Sequence, residues 1–218
     1  MTLFYRTVIK MHSKSKVLET IFYNIKDGDC LGFLSKGWKK YPISVATEGE
    51  CTHVCTVWGI ERSETSVSFL ISEQSFHGGR LREVEIKTRK IGNQDVFYTN
   101  DEYINNQERI YYSKLIKPLT EEQLNIGIDD AENQDGKKYG YLTLLLGIEF
   151  LEKILPKFLK NKFLEARGRL TRVCSSHVAI QYIKMGLLNK SDVVNFKDFF
   201  YTPIEVLKFP FLFLTSGE

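Results

Sequence analysis

Apolar residues recur along this chain with two different periods, and the change between them divides it. Residues 17–26 (VLETIFYNIK) carry apolar positions three and four apart, which predicts a short helix leading to a turn at Asp27–Asp29. CLGFL, directly after that turn, reads as a brief apolar strand. Two β-rich runs, CTHVCTVWGI at 51–60 and SVSFLISE at 66–73, are separated by the charged and polar ERSET and predict a hairpin. RLREVEI at 80–86 follows the His77–Gly78–Gly79 turn, and ERIYYSKLI at 108–116 adds a further strand, so the region reads as an antiparallel meander. Between the first strand and the hairpin, the segment from Gly32 to Gly49 has glycines, Pro42 and several lysines, which suits an exposed loop at a mobile edge.

Beyond Pro118 the period becomes helical. Thr120 followed by Glu121, Glu122 and Gln123 is an N-cap signature that opens a helix running to about Gln134. A second helix is expected from Leu142 to the region of Pro156; its nearly continuous apolar residues favour deep packing over a greasy surface. Further on, VCSSHVAIQYIKMG predicts a helix of about three turns, closed by Gly186 and opened by Cys174. Strands first and helices after imply an α+β fold in which an antiparallel sheet packs against the Cys174 helix.

Composition narrows the class. With 218 residues, 43% of them hydrophobic, and no low-complexity stretch to mark a boundary, one domain over 1–218 is expected. A net charge of +3 gives no case for nucleic acid as a partner. Between Glu152 and Arg172 seven basic residues stand against two acidic ones, a solvated face by the plainer reading and an anionic-surface contact by the other, so a membrane surface is possible but not favoured. Four cysteines (Cys30, Cys51, Cys55, Cys174) are too few for a disulfide scaffold in a chain this long, and a reducing compartment is the simpler expectation. Neither a secretory apolar stretch near the start nor a run of about 20 apolar residues is present, so residence in the cytoplasm is expected.

Within that frame the chemistry centres on Cys174. A helix N-terminus favours the thiolate over the thiol, and its unpaired N–H groups can hold an oxyanion. Polar Ser175 and Ser176 fit a partly open helix start; a buried cysteine that merely anchors the helix is the plainer alternative. Of the four histidines, His177 shares the Cys174 helix and would point along it, whereas His53 lies within an apolar strand, where an imidazole needs a polar partner. A turn centred on Arg62–Ser63 or on Ser63 sets His53 opposite Ser72 or Glu73; Glu73 is the choice for orienting the imidazole, with Ser72, Gln74 and His77 as the other candidates. The Cys51–His53–Cys55 alternation invites a metal reading, but positions i to i+4 of a strand spread over ~13 Å, so no metal and no cofactor is expected.

These motifs together resemble the circularly permuted NlpC-type papain-like cysteine hydrolases of the YiiX-like kind. Asp27-Gly28-Asp29-Cys30-Leu31-Gly32-Phe33 resembles their opening "GD-apolar-apolar-x-F" strand, and Thr52-His53-Val54 their histidine strand. Ile71-Ser72-Glu73 followed by Gly78 or Gly79 is similar to the segment with the acidic third member, and Gly136 to Tyr141 to the "G-x-x-Y-D" element. Arg172 to Val178 is similar to "x-x-C-S-E-L-V", and Thr202 to Val206 to a closing "T-P-x-D-L", so the likeness spans about 27–206. Gly140 departs from the usual Asp. His177 replaces the usual Leu and gives a C-x-x-H-V spacing like that of the more distant lecithin–retinol acyltransferase group.

The resemblance implies a permuted papain-like fold, a half-barrel against the nucleophile helix. It implies Cys174 as nucleophile, His53 as base and Glu73 as third member, with Tyr139, Tyr141, Ser175 and Asp29 near the substrate. The expected activity is hydrolysis, through an acyl-enzyme, of an amide in a peptide or peptidoglycan-like substrate. A thioester or lipid acyl hydrolase or transferase, suggested by His177 and the apolar and basic segments, is the alternative, and a non-catalytic binding module is the third. Neither the substrate's identity nor the oligomeric state is legible in the sequence.

Overall fold

The computed structural model describes residues 14–36, 51–75, 77–138, 174–189 and 203–215. In chain order the elements are α1 (14–24), β1 (Cys30–Ser35), β2 (His53–Arg62), β3 (Ser66–Ser75), β4 (Gly78–Ile91), β5 (Gln94–Thr99), α2 (Glu102–Asn105), β6 (Gln107–Leu115), α3 (Glu121–Gln134), α4 (Cys174–Lys184), α5 (Pro203–Val206) and β7 (Leu212–Thr215). The expected helix at 142–156 and the basic stretch at 152–172 lie outside the described residues.

One seven-stranded antiparallel sheet, ordered β5-β4-β3-β2-β1-β6-β7, runs through the molecule, so the α+β expectation holds. Alternation along the strands gives it two buried faces, because successive side chains point to opposite sides. On one face Leu31, Phe33, Cys55, Val57, Phe69 and Ile71 pack with Ile21, Phe22 and Ile25 of α1 and its flank. On the other, Cys30, Val54 and Trp58 pack with Val178, Ala179 and Tyr182 of α4, and Ala131 of α3 joins them.

Three sequence expectations shift. Helix α1 starts earlier, at residue 14. The CLGFL strand forms as β1 and runs on to Ser35, so the loop expected from Gly32 starts later; Gly32 lies under Leu207 and the Cys51 sulfur, and residues 37–50 lie outside the described residues. Strands β5 and β7, each short and with only part of its residues buried, had not been expected.

Helix α3 begins as its sequence predicts. Thr120 Oγ1 accepts from Gln123 N at 3.2 Å, and Gln123 Oε1 accepts from Thr120 N at 3.0 Å, a reciprocal cap. Its other end is stitched to β4: Gly79 N donates to Lys137 O at 2.7 Å, and Gly136 N donates to Gly79 O at 2.9 Å. This approach requires glycine, since a Cβ on residue 79 would sit 1.9 Å from Gln134 O.

Candidate functional site

His53 is the first residue of β2 and pairs with Phe33 of β1. The strand's start is fastened there: Thr52 N donates to Phe33 O at 2.8 Å, and Ser35 N donates to Thr52 Oγ1 at 3.1 Å. The imidazole stacks on Phe33 (6.3 Å between centroids, 21° between planes) and meets Tyr103 edge-on (6.3 Å, 78°). Its polar partner is Glu73, whose Oε2 lies 2.8 Å from Nε2.

Glu73 reaches His53 by a different route from the one expected. The hairpin turns at Glu64–Thr65, and a bulge between Trp58 and Glu61, with Gly59 at φ 61°, takes back one residue of the shift. Thr56 therefore pairs with Ser72, and continuing that register sets Glu73 opposite Cys55 rather than His53. The displacement from the expected register is even, so Glu73 keeps the face of His53 and its longer side chain closes the diagonal. Ser72, on the other face, bonds His177 Nε2 at 2.9 Å. His77 is exposed in the turn after β3, and Gln74 is buried on the Ser72 face.

Helix α4 lies over the Val54 and Trp58 face, with Gln181 against Thr56 and Cys174 at the start of β2. Cys174 hydrogen-bonds the imidazole of His53, whose Nε2 is held by Glu73; backbone bonds at Val54 and Ser175 also reach the sulfur. Burial alone would raise the Cys174 pKa, but the His53 bond and charge and these backbone bonds bring it below its ordinary value. Burial would likewise lower His53, yet the bonds and charges of Cys174 and Glu73 outweigh it and push the imidazole up to about 10. Burial opposes the ionised form of Glu73 as well, and the His53 bond, the His53 charge and Arg82 turn the shift downward. The arrangement favours a thiolate–imidazolium pair backed by a carboxylate.

The other three cysteines behave oppositely. Cys51, raised by burial to about 12, turns its sulfur to Phe33 O and His53 O, and Cys30 and Cys55 are also pushed up by burial. Cys51 belongs to the α4-side core and Cys55 to the α1-side core, so the 51–53–55 alternation does not converge.

Of the residues expected near a substrate, Ser175 is buried beside Cys174, and Tyr139 and Tyr141 lie outside the described residues. Asp29 requires correction. It is 1% exposed at the far end of β1 from Phe33, accepting from Tyr112 Oη (2.7 Å), Leu115 N (2.8 Å) and Lys26 N (2.9 Å), and burial raises it to about 6. It fastens β6 and the turn after α1 to β1, and contacts nothing at the His53 end.

Sequence reasoning did not find Arg82 and Tyr103. Arg82 Nε stands 3.6 Å from Glu73 Oε1, and its guanidinium lies 4.5 Å over the Tyr103 ring. The signal for Arg82 was the alternation Arg80–Arg82 next to the glycine turn, which puts both arginines on one strand face beside Glu73.

No protein-family model matches the sequence, and no curated protein matches it. Among solved structures, the crystal structure of the metalloprotein yiiX from Escherichia coli O157:H7, DUF1105, matches with a TM-score of 0.51 at 13% identity, covering 90% of this chain and 99% of that one. The chain has a YiiX-like fold. Since yiiX is described as a metalloprotein, the donors here matter. Among the described residues no group of three or more His, Cys, Asp or Glu side chains is placed to hold a metal ion, and His53 is engaged by Cys174 and Glu73. The described residues of this YiiX-like fold do not fit a metal centre. Nor is any of its described helices long and apolar enough to cross a membrane.

Proposed function

We propose that this chain is a cysteine hydrolase of the circularly permuted NlpC papain-like type, with Cys174 as nucleophile, His53 as base and Glu73 as orienter. The observation that carries the proposal is a thiol at a helix N-terminus, hydrogen-bonded to an imidazole whose Nε2 is held at 2.8 Å by a buried carboxylate. Nucleophile, base and orienting group each contact the next, which is the relation acyl transfer requires.

In the proposed reaction the Cys174 thiolate attacks the carbonyl carbon of an amide, and the backbone N–H groups at the start of α4 are the donors assigned to the oxyanion. Protonated His53 gives its proton to the leaving amine as the C–N bond breaks, leaving a thioester. His53, now neutral, takes a proton from water, whose oxygen attacks the thioester and returns the acid and the thiol. Glu73 holds the ring and opposes its positive charge throughout. A peptide or peptidoglycan-like amide is the substrate class we favour, in a reducing compartment such as the cytoplasm; four free cysteines accord with that setting. A thioester or lipid ester could be attacked in the same way, but His177, one motive for that alternative, is turned to Ser72.

Peptide mapping after brief iodoacetamide treatment at neutral pH tests the reading. Cys174 is expected to be alkylated at least tenfold faster than Cys30, Cys51 or Cys55, and His53→Ala to abolish that advantage. Equal labelling of all four thiols would reject the hydrolase and favour a non-catalytic binding module.

A further inference from the structure

Behind the three groups of the proposed site stands a second layer, built on β4 and α2. Arg82 pairs with Ile71 across β3–β4, so its side chain shares a face with Glu73, the residue two positions on. Its guanidinium is held from three sides: Nε faces Glu73 Oε1 at 3.6 Å, Nη1 bonds Asp101 Oδ2, and the plane lies on Tyr103 at 4.5 Å. Asp101 is itself fixed, because its Oδ1 caps α2 by accepting from Ile104 N at 2.8 Å and its own N–H donates to Thr99 Oγ1 at 3.1 Å. Tyr103, on the same short helix, meets Phe33 edge-on at 5.4 Å and His53 at 6.3 Å. One helical turn thus grips the arginine behind the glutamate and also walls the imidazole.

We infer that Arg82, anchored by Asp101 and Tyr103, is a positioning residue that aims Glu73 Oε2 at His53 and so sets the Cys174–His53 ion pair. This rests on the hydrolase reading above and deepens it. A carboxylate has two oxygens, and with Oε1 facing the guanidinium only Oε2 is left for the imidazole, so the Glu73 rotamer is determined from both ends. The charged and titratable neighbours of Glu73 are His53 and Cys55 from β2, Arg80 and Arg82 from β4 and Tyr103 from α2, with Asp101 behind Arg82. Arg80 is exposed and screened, so Arg82 carries the buried part of the positive charge.

The test is the pH dependence of Cys174 alkylation in the full chain, with folding followed by circular dichroism. Wild type should show an acid limb well below that of an ordinary thiol. Arg82→Gln should move the limb up by about one pH unit, slowing alkylation about tenfold on its acid side, and Arg82→Lys should recover part of the shift. Asp101→Asn separates positioning from simple charge. It keeps the helix cap and removes a negative charge, so electrostatics alone would lower the limb, whereas a loosened Arg82 raises it. An unchanged limb in folded Arg82→Gln, or a lowered one in Asp101→Asn, overturns the inference, and Asp101→Asn alone decides it if Arg82→Gln does not fold. A wild-type limb at the ordinary thiol value would instead reject the hydrolase reading itself.

Discussion

Glu73 is 4% exposed and sits among Cys55, Tyr103 and the His53 ring, surroundings that penalise a charge unless cations answer it. Two do, His53 and Arg82. Glu73→Gln keeps an acceptor for Nε2 but removes the negative charge opposite the imidazolium. The His53 pKa should then fall and that of Cys174 rise, so alkylation at pH 6 should slow about tenfold while urea unfolding still shows a folded protein. An unaltered rate would mean that Glu73 only packs. At this scale legibility in the sequence followed locality. Cys174 was readable because a nucleophile at a helix start needs only its own neighbours, and Glu73 because an even slip in register preserves the face. Asp29 was misassigned: the three donors that claim it come from Lys26, Tyr112 and Leu115, and the last two are remote in sequence. Arg82 escaped for the same reason, its role being defined by Asp101 and Tyr103.

Elements place the thiol as much as residues do. Helix α4 meets the sheet through polar as well as apolar contacts: Thr56 Oγ1 donates to Gln181 Oε1 at 2.5 Å and accepts from Trp58 Nε1 at 3.0 Å, while Tyr182 Oη donates to Gly28 O at 2.9 Å. Such bonds have one good register, so they fix how far along β2 the helix sits and hence where Cys174 falls. Thr56→Val keeps the volume but strands Gln181 Oε1 and Trp58 Nε1 in a dry interface, which should cost about 2–4 kcal/mol in urea unfolding. A loss below about 0.5 kcal/mol would show that apolar packing alone seats the helix. Gly79→Ala probes the opposite edge, because the added Cβ meets a main-chain oxygen of α3 that cannot swing aside. It should destabilise by about 1–3 kcal/mol. Helices α3 and α4 were legible from cap and period, and the central strands from alternation. Strands β5 and β7 were not: they bury few side chains, and edge position is a property of the sheet rather than of the segment.

For the whole molecule, the thiol–imidazole pair implies a particular stability profile against pH. His53 is raised from an ordinary 6.5 to about 10, so the stability it contributes is full below pH 6.5 and is lost as pH rises through about 10. Cys174 is lowered from an ordinary 9.0, so its contribution is present above pH 9 and is lost as pH falls through its folded value. Between about pH 6.5 and 9 the two slopes oppose and cancel, because the folded pair holds one proton on nitrogen where the unfolded chain holds one on sulfur. Below that window the unfolded chain takes up a second proton and stability falls on acidification; above it the unfolded thiol ionises and stability falls again. Cys174→Ser removes the thiol slope and, because Cys174 is the first cause holding His53 up, shrinks the imidazole slope as well. Its urea midpoint should therefore lack most of the fall that wild type shows above about pH 9. Taking the difference between the two proteins at each pH cancels contributions they share, including that of Asp29, which titrates near 6 far from the site. Parallel curves would mean that folding leaves the Cys174 pKa where the unfolded chain has it, with no partner to shift it, and the buried carboxylate nearby would then be serving structure alone.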